Sequence, residues 1–531
     1  MHFDMKTNIK IYILMAAVAL GSTLTSCVDD LDTTPIDPNY KSGDKIYVSA
    51  ESYKQGLSKL YGSFVLAGQE GAGGNADIAG GDPGSTVYTR LLFYCQELST
   101  DAAIAAWNDG DIKEFHNQKW TAGNGFVGNM YTRLYLTIGF INQYLRDTES
   151  GKLIGSLTSE DLKNIEQYRA EARLLRAMVY YNALDLFGSV PILTEADPVG
   201  KFKPEQKTRK EIFTFVETEV SEIESLLAAP GSNEYGRIDK GAAWALMARM
   251  YLNAEVYINE AKYTECIDYC KKIMPFYSLN DSYEELFMAD NHLRTNEMIF
   301  AFACDGLNSQ TYGATTYIIH AAIGGDYVPA DAGINGGWGG NRVTSAFVNK
   351  FDQNNDKRAM FFTEGQALEI DQIGEFTEGY MLVKYTNKNS DGTNGADDNF
   401  VDTDFPMFRL ADVYLMYAES VLRGGNGGSL GEANSYVNQL RTRAYGNTSG
   451  NIAEADLSLD FIIDERAREL SWECMRRTDL IRFGKFSNSK YLWPWKGGLK
   501  DGKSVDSHYN LYPIPLSELN SNSNLTPTPG Y

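Results

Sequence analysis

The sequence predicts a mainly α-helical protein in which helix pairs form a scaffold and long irregular loops carry minor β structure. Apolar side chains recur with the period of an α-helix in many segments. Short polar or glycine-containing turns join most of these segments, which predicts that neighbouring helices run antiparallel. Long segments rich in Gly, Asn, Asp and Tyr lie between them, at residues 68–90, 290–340 and 387–404.

The clearest helix is predicted at residues 161–187. Ser159 is a candidate N-cap, acidic side chains occupy the first turn, and Gly188 followed by Pro191 gives a stop signal. The apolar side chains fall mostly on one face, as in a helix that packs on a core. The same pattern predicts helices at residues 127–145, 209–227, 240–254, 263–273, 408–422, 430–444 and 459–483.

Small side chains in the predicted helix 240–254 favour close packing of adjacent helix pairs, as in tetratricopeptide-like stacking. They are Ala242, Ala243, Ala245 and Ala248. The sequence shows no strict repeat of about 34 residues. Long loops in a compact protein are usually functional or disordered, and the aromatic residues in these loops disfavour disorder. We therefore expect the binding site in the loops.

The first 26 residues have the pattern of a cleaved signal peptide. Two lysines precede a short apolar core at residues 11–20, which is too short to span a bilayer as a helix. Residues 24–27 (Leu-Thr-Ser-Cys) have the form of a lipobox, so Cys27 is the predicted lipidation site and residues 27–45 a tether. The alternative is an ordinary signal peptide with a chance cysteine. No later stretch is apolar enough to span a membrane.

The charge of the chain argues against nucleic acid as a partner. The formal net charge is −22, and removal of two lysines and one aspartate with the signal peptide changes it to about −23. Phosphate backbones require Lys and Arg on the protein surface. The length allows a large core, so stabilisation by disulfides is not needed. Cys266 and Cys270 have a spacing that resembles metal ligands, but without a nearby His or Cys partner we expect buried thiols.

Several motifs occur in the order found in one known family. Residues 170–177 read Ala-Glu-Ala-Arg-Leu-Leu-Arg-Ala, and residues 186–191 read Leu-Phe-Gly-Ser-Val-Pro. Residues 408–415 read Phe-Arg-Leu-Ala-Asp-Val-Tyr-Leu, residues 465–470 read Glu-Arg-Ala-Arg-Glu-Leu, and residues 512–515 read Tyr-Pro-Ile-Pro. These motifs resemble those of the SusD/RagB family, and the resemblance covers essentially the whole chain after the signal peptide.

The resemblance implies a non-catalytic lipoprotein on the outside of the outer membrane. Such a protein lies over a SusC-like TonB-dependent transporter and delivers oligosaccharides to it. The acidic start of the tether also resembles a surface-export signal of Bacteroides-type lipoproteins. The resemblance further implies an N-terminal region at 46–231 and a C-terminal region at 232–531, which intertwine as one globular unit. Within the motifs, we expect Arg176, Arg409, Glu465 and Arg466 to form ion pairs that lock helices together.

The loops resemble those of the starch-binding member of this family. The matching segments include residues 68–71, 285–291 and 490–498. In that member the ligand lies against three aromatic rings with polar groups beside them. The matching positions here are Trp107, Tyr312, Trp338, Asp82 and Arg90, with Asn108 as a substitute for an amide that has no equivalent position here.

Stacking of sugars on aromatic rings has a clear physical basis, because the C–H faces of a pyranose are apolar and its vicinal hydroxyls suit a guanidinium or a carboxylate. The resemblance therefore implies that starch or a maltooligosaccharide is the ligand. The alternative for each ring is ordinary packing, and Asp82 and Arg90 have the alternative of pairing with each other.

The resemblance also raises the question of calcium, because the starch-binding member carries this ion. The matching loop at residues 292–296 reads His-Leu-Arg-Thr-Asn, which supplies few of the oxygen ligands that calcium requires. We therefore predict no cofactor and no matching metal site, although Asp402 and Asp404 remain available to one.

Three other functions remain as alternatives. The protein binds a different glycan, it is a peptide-binding lid of a transporter, or it is a glycoside hydrolase, which needs two carboxylates across the scissile bond. Residues 427–431 match the Gly-x-Ser-x-Gly nucleophile elbow, but that motif requires a strand before the serine. Helical patterns flank it on both sides, so we predict an interhelical turn there.

Overall fold

The structure is a computed structural model that describes residues 46–79, 82–200 and 202–531. The predicted signal peptide, the lipidation site Cys27 and the tether at 27–45 lie outside the described residues. Within the described ranges, every helix is too short or too polar to cross a bilayer.

Helices dominate the described part of the chain, which confirms the predicted fold class. They are α1 (Ala50–Gly62), α2 (Tyr88–Gln96), α3 (Gly110–Asn117), α4 (Gly125–Asp147), α5 (Ser159–Phe187), α6 (Arg209–Ile223), α7 (Lys240–Leu252), α8 (Ala254–Ile258), α9 (Tyr263–Ile273), α10 (Ala314–Ala322), α11 (Ser345–Val348), α12 (Leu410–Leu422), α13 (Leu430–Tyr445), α14 (Leu459–Glu469), α15 (Arg476–Arg482) and α16 (Leu516–Ser521). Helices α5 and α6, α7 and α9, α9 and α12, and α12 and α13 pack against each other in pairs.

Short strands form antiparallel two-stranded sheets within the described residues. The strands are β1 (Ile104–Ala105), β2 (Val190–Pro191), β3 (Gln206–Lys207), β4 (Met298–Phe302), β5 (Asn341–Arg342), β6 (Phe361–Phe362), β7 (Met381–Leu382) and β8 (Phe405–Arg409). The pairs are β1 with β5, β2 with β3, β4 with β8, and β6 with β7. In the first pair Ile104 lies opposite Arg342, and this register determines where the loops after β1 and before β5 meet.

Helix α5 begins at Ser159, two residues before the predicted start at 161, and has a different cap. The N-cap is Thr158 and not Ser159: the Asp161 N–H donates to the Thr158 hydroxyl at 3.2 Å, and the Thr158 N–H donates to the Asp161 carboxylate at 2.8 Å. This reciprocal pair satisfies two backbone donors at once. Gly188, with φ of +76°, ends the helix as predicted.

The segment predicted as one helix at 459–483 is two helices, α14 and α15. Between them Trp472 and Cys474 have left-handed backbones, with φ of 57° and 60°. The break directs the Trp472 indole into the core, where its N–H donates to the Ala102 carbonyl at 2.8 Å. The helix predicted at 408–422 begins only at Leu410, because Phe405–Arg409 pairs with β4.

Seven of the described helices, α1, α2, α3, α8, α10, α11 and α16, were not predicted from the sequence, and α10 lies within the long loop predicted at 290–340. Every residue of α2 and of α10 is buried. A helix that is buried all around has no polar face, so the apolar side chains show no helical period.

Buried ion pairs connect the helices, as predicted for the four motif residues. Arg176 binds Glu195 and Glu219, Arg409 binds Glu469 and Glu473, and Arg466 binds Asp412 and Asp479. Burial alone would raise the pKa of Glu465, but its arginine neighbours Arg358, Arg468 and Arg441 lower it to about 2. The carboxylate is therefore ionised and bound at neutral pH.

The two predicted regions share one core. Arg476 binds Asp101 at 2.7 Å, and the Tyr512 hydroxyl donates to the Cys95 carbonyl at 2.8 Å. The boundary at 231 and 232 stays a prediction. Cys266 and Cys270 are buried free thiols, as predicted.

Candidate functional site

The pairing of β1 with β5 brings two loops of the candidate site together. Ala106 N–H donates to the Gly340 carbonyl at 2.8 Å, directly after β1. The next residue is Trp107, whose indole N–H donates to the Trp338 carbonyl at 3.1 Å. A Cβ on Gly340 would lie 2.5 Å from the Trp107 ring, so glycine is needed for the ring to lie against the backbone. Two of the predicted aromatic residues are thus in contact.

The C-terminal end of α10 fixes the backbone of residues 338–340. The N–H groups of Trp338, Gly339 and Gly340 donate to the carbonyls of His320, Ile323 and Ala321 at 2.7, 2.9 and 2.9 Å. The last carbonyls of a helix have no partner within the helix, so this loop satisfies them. A rigid helix end therefore positions Trp338.

His320, which was not predicted as a site residue, stacks against the Trp338 ring. The two rings are stacked with centroids 4.9 Å apart and planes 25° apart. The imidazole is buried, and its Nδ1 lies 2.6 Å from the Gly336 carbonyl, so Nδ1 carries the proton in the neutral ring. Burial lowers the pKa of His320, which favours that neutral form. The sequence feature that could have indicated this role is the position of His320 within an apolar run.

Tyr312 continues the row of rings. Its ring centroid is 6.3 Å from that of Trp338, with the planes 52° apart, and 5.1 Å from that of Phe400. Trp107, Trp338 and Tyr312 are each half-buried, so each ring keeps exposed surface. The tilt of 52° between the Tyr312 and Trp338 rings makes the surface that they form curved.

Arg90 lies beside this row on α2. Its guanidinium stacks over the buried Tyr317 ring at 4.6 Å, its Nε donates to the Tyr94 hydroxyl at 2.8 Å, and its Nη1 donates to the Tyr312 carbonyl at 3.0 Å. Among the described residues, Nη2 has no hydrogen-bond partner and Arg90 forms no ion pair. The alternative of an Asp82–Arg90 pair is therefore wrong, because Arg90 uses hydroxyl, carbonyl and aromatic partners.

Asp82 and Asn108 lie at exposed edges of the same loops. The main-chain carbonyl of Asp82 accepts hydrogen bonds from the Ser85 N–H and hydroxyl at 2.9 and 2.7 Å. The Asn108 amide oxygen accepts a hydrogen bond from Lys113. The structure thus brings Trp107, Trp338, Tyr312 and Arg90 into direct contact, while within its described part no hydrogen bond joins Asp82 or Asn108 to them.

The carboxylates considered for calcium are occupied by protein donors. Asp402 accepts hydrogen bonds from the N–H groups of Gly306 and Ala396 at 2.7 and 2.6 Å. Asp404 accepts from the Cys304 N–H at 2.7 Å and from the Tyr235 hydroxyl at 2.6 Å. In the described ranges, no three His, Cys, Asp or Glu side chains are arranged to hold a metal ion. The absence of a cofactor stays a prediction.

Comparison with known proteins identifies the family. A family model described as "SusD family" matches residues 354–531, and one described as "Starch-binding associating with outer membrane" matches residues 82–252. The starch-binding protein SusD of Bacteroides thetaiotaomicron is 34% identical over 99% of this chain and 100% of that protein. The chain belongs to the SusD family.

More distant members of the family support the fold. SusD-like protein P2 of Formosa agariphila is 26% identical over 80% of this chain and 84% of that protein. A SusD homologue from Bacteroides thetaiotaomicron has a TM-score of 0.72 at 19% identity, over 92% of this chain and 98% of that chain. A laminarin-binding SusD-like protein has a TM-score of 0.69 at 21% identity, over 91% of this chain and all of that chain.

The two family models cover the site unequally. The segment 82–252 contains Asp82, Arg90, Trp107 and Asn108, whereas Tyr312 and Trp338 lie between the two matched segments. Two of the three rings of the row thus lie in a part of the chain that the two family models leave unmatched.

Proposed function

We propose that this protein binds an α-1,4-glucan, starch or a maltooligosaccharide, at the cell surface and delivers it to a SusC-like TonB-dependent transporter. The observation that carries the proposal is the curved row of three half-buried rings beside the unpartnered Nη2 of Arg90. Family membership supports carbohydrate binding, and the 34% identity to a starch-binding protein supports starch.

The row suits a curved sugar chain for a physical reason. Each ring covers about 50 Å² of a sugar, which at about 25 cal/mol/Å² contributes about 1 kcal/mol. Three such contacts and charge-assisted hydrogen bonds, reduced by the cost of association, give a weak site. A weak site suffices, because a polysaccharide offers many copies of the same unit to many proteins on one cell.

The chemistry of the site favours binding without hydrolysis. A glycosidase needs two carboxylates across the scissile bond. Asp82 is the one carboxylate among the six residues that we propose contact the glycan. The description of the matched family model supports an outer-membrane location, and the lipobox at Cys27 supports attachment by lipid.

Affinity electrophoresis tests the proposal. The protein without residues 1–27 is run in gels that contain starch, pullulan, dextran, levan or xylan, together with Trp338→Ala. The matched control is Trp244→Ala, since Trp244 is also half-buried but lies on α7, where its indole binds Glu224. We expect starch, or starch and pullulan, to retard the wild type and the control, and Trp338→Ala to migrate freely.

Retardation by levan, dextran or xylan instead would mean that the glycan is wrong. No retardation by any of the five would contradict the proposal and favour the peptide-binding alternative. Equal retardation of wild type and Trp338→Ala would mean that the glycan binds away from the ring row.

A further inference from the structure

A cavity lies close to the ring row. It has a volume of about 370 Å³ and opens to solvent between α1, α4 and two loops. Lys59, Gly62, Gln69, Phe140, Asn308 and Gln310 contribute to its lining. The volume is in the range of small-ligand pockets.

The chain itself connects the cavity to the ring row. Gln310 lines the cavity and Tyr312 belongs to the row, so their Cα atoms are at most about 7 Å apart. A second connection runs through the buried Arg133. Its guanidinium donates to the Ala67 and Thr86 carbonyls at 3.0 and 2.8 Å, and it binds the Asp77 carboxylate at 3.2 Å. The wall of the cavity and the segment before α2 are thus held by one side chain.

Helix α4 contacts both the aromatic residue that binds Arg90 and the cavity. Phe126 packs on Tyr94 at 5.0 Å, and Tyr94 is the residue that binds Arg90. Phe140, fourteen residues later, lines the cavity. Residues seven apart lie on nearly the same helix face, and fourteen residues span about 21 Å. The contact with Tyr94 and the contact with the cavity therefore lie on nearly the same face of α4, about 21 Å apart along the helix.

The lining of the cavity suits a neutral sugar. The Phe140 ring is half-buried and apolar, and the amides of Gln69, Asn308 and Gln310 reach the cavity. The side-chain amide nitrogen of Gln310 donates to the Gly306 carbonyl at 3.0 Å, and that of Asn308 donates to the Asp305 carboxylate at 2.8 Å. Both side-chain amide oxygens therefore remain as acceptors for hydroxyl groups. Asp77 is paired with Arg133, so the carboxylate of this wall is neutralised. The Lys59 ammonium lies over the Phe140 ring, 4.8 Å from its centroid, where it adds a donor for sugar hydroxyl groups.

We propose that this cavity is a second sugar subsite, which takes units of the same glucan chain beyond those stacked on the three rings. The proposal rests on the proposed function. A short oligosaccharide therefore uses the ring row alone, and a longer oligosaccharide uses both the ring row and the cavity.

Gly62 allows the cavity to be filled without disturbing the backbone. A Cβ at this position would meet only Leu66, at an ordinary 3.6 Å, and the glycine is not in the left-handed region. Gly62→Phe therefore places a ring in the cavity, and Gly62→Ala is the matched control. Isothermal titration calorimetry with maltotriose and with maltoheptaose measures the dissociation constant of each variant.

We expect Gly62→Phe to bind maltoheptaose about tenfold more weakly than wild type and Gly62→Ala, and maltotriose equally well. An unchanged maltoheptaose affinity in Gly62→Phe overturns the subsite and leaves the proposed function intact. Absence of binding of either sugar to the wild type overturns both. If Gly62→Phe fails to fold, Gln310→Ala answers the same question, with a selective loss of maltoheptaose affinity expected and an unchanged affinity as the contrary result.

Discussion

The buried ion-pair network and the ring row are built in opposite ways. In the network, Arg409 is almost fully buried and its guanidinium binds Glu297, Glu469 and Glu473 directly, side chain to side chain. In the ring row, Trp107 and Trp338 are half-buried and are joined through a main-chain carbonyl. The network thus depends on its side chains, and the row depends on the backbone below its rings.

This difference predicts which property each region controls. A charge that is removed from water must be paired, so the loss of one partner leaves another charge buried and unpaired. Removal of a half-buried ring that is held by the backbone uncovers some apolar surface but leaves no charge unpaired. Substitutions in the network are expected to change the free energy of unfolding, and those in the row the affinity for glycan.

The largest effect is expected from Arg409→Met. The substitution leaves three glutamates without one of their cations, and the loss of one partner of a buried ion pair costs about 3–5 kcal/mol. Urea denaturation measures the free energy of unfolding. The control is Lys210→Met, because Lys210 and Glu260 form an ion pair on the exposed surface, where we expect no measurable change. Similar values for the two variants would mean that the network does not stabilise the fold.

The helical period was sufficient to predict many helices that have a solvent-facing side, but not α1 and α3, which have one too. Helix α9 has the predicted bounds, Tyr263–Ile273, because one of its faces is polar. Helices α2 and α10 were missed because they are buried on all sides. The break at Trp472 was missed because a left-handed backbone at a tryptophan has no local signal and depends on the core that receives the ring.

The site was predicted from a family resemblance and not from spacing. The contact between Trp107 and Trp338 depends on the pairing of β1 with β5, two strands of two residues each that are far apart in the sequence. Such short strands have no detectable pattern. The support of Trp338 by His320 was missed for the same reason, since it requires the end of a helix that the sequence did not predict.

Asp404 lies at the end of the long loop 387–404, just before β8, and its titration predicts an effect of pH on stability. Burial raises its pKa from 3.8 to about 7. The unfolded chain therefore releases this proton at a lower pH than the folded chain does. The stability linked to Asp404 is complete below about pH 4 and is lost as the pH rises through about 7.

Asp404→Asn tests this prediction, because the amide is neutral at every pH and has nearly the same shape. We expect the unfolding free energy of the variant, relative to wild type, to increase by about 2–4 kcal/mol between pH 4 and pH 8. Urea denaturation at several pH values measures the difference. Loss of the hydrogen bonds to Asp404 shifts the whole curve without changing its slope, so a difference that does not vary with pH would contradict the prediction.

The smallest effect is expected at Ser429, the serine of the Gly-x-Ser-x-Gly match. The residue lies between α12 and α13, as predicted, and is the N-cap of α13: its hydroxyl accepts a hydrogen bond from the Glu432 N–H at 3.2 Å and donates to the Glu432 carboxylate at 2.9 Å. Loss of a serine N-cap costs about 1 kcal/mol, so Ser429→Ala should lower the free energy of unfolding by that amount and leave retardation by starch unchanged. Ser429→Thr keeps a capping hydroxyl and should behave as wild type. A loss of starch binding in Ser429→Ala, at unchanged stability, would show that this turn belongs to the site and not to the scaffold.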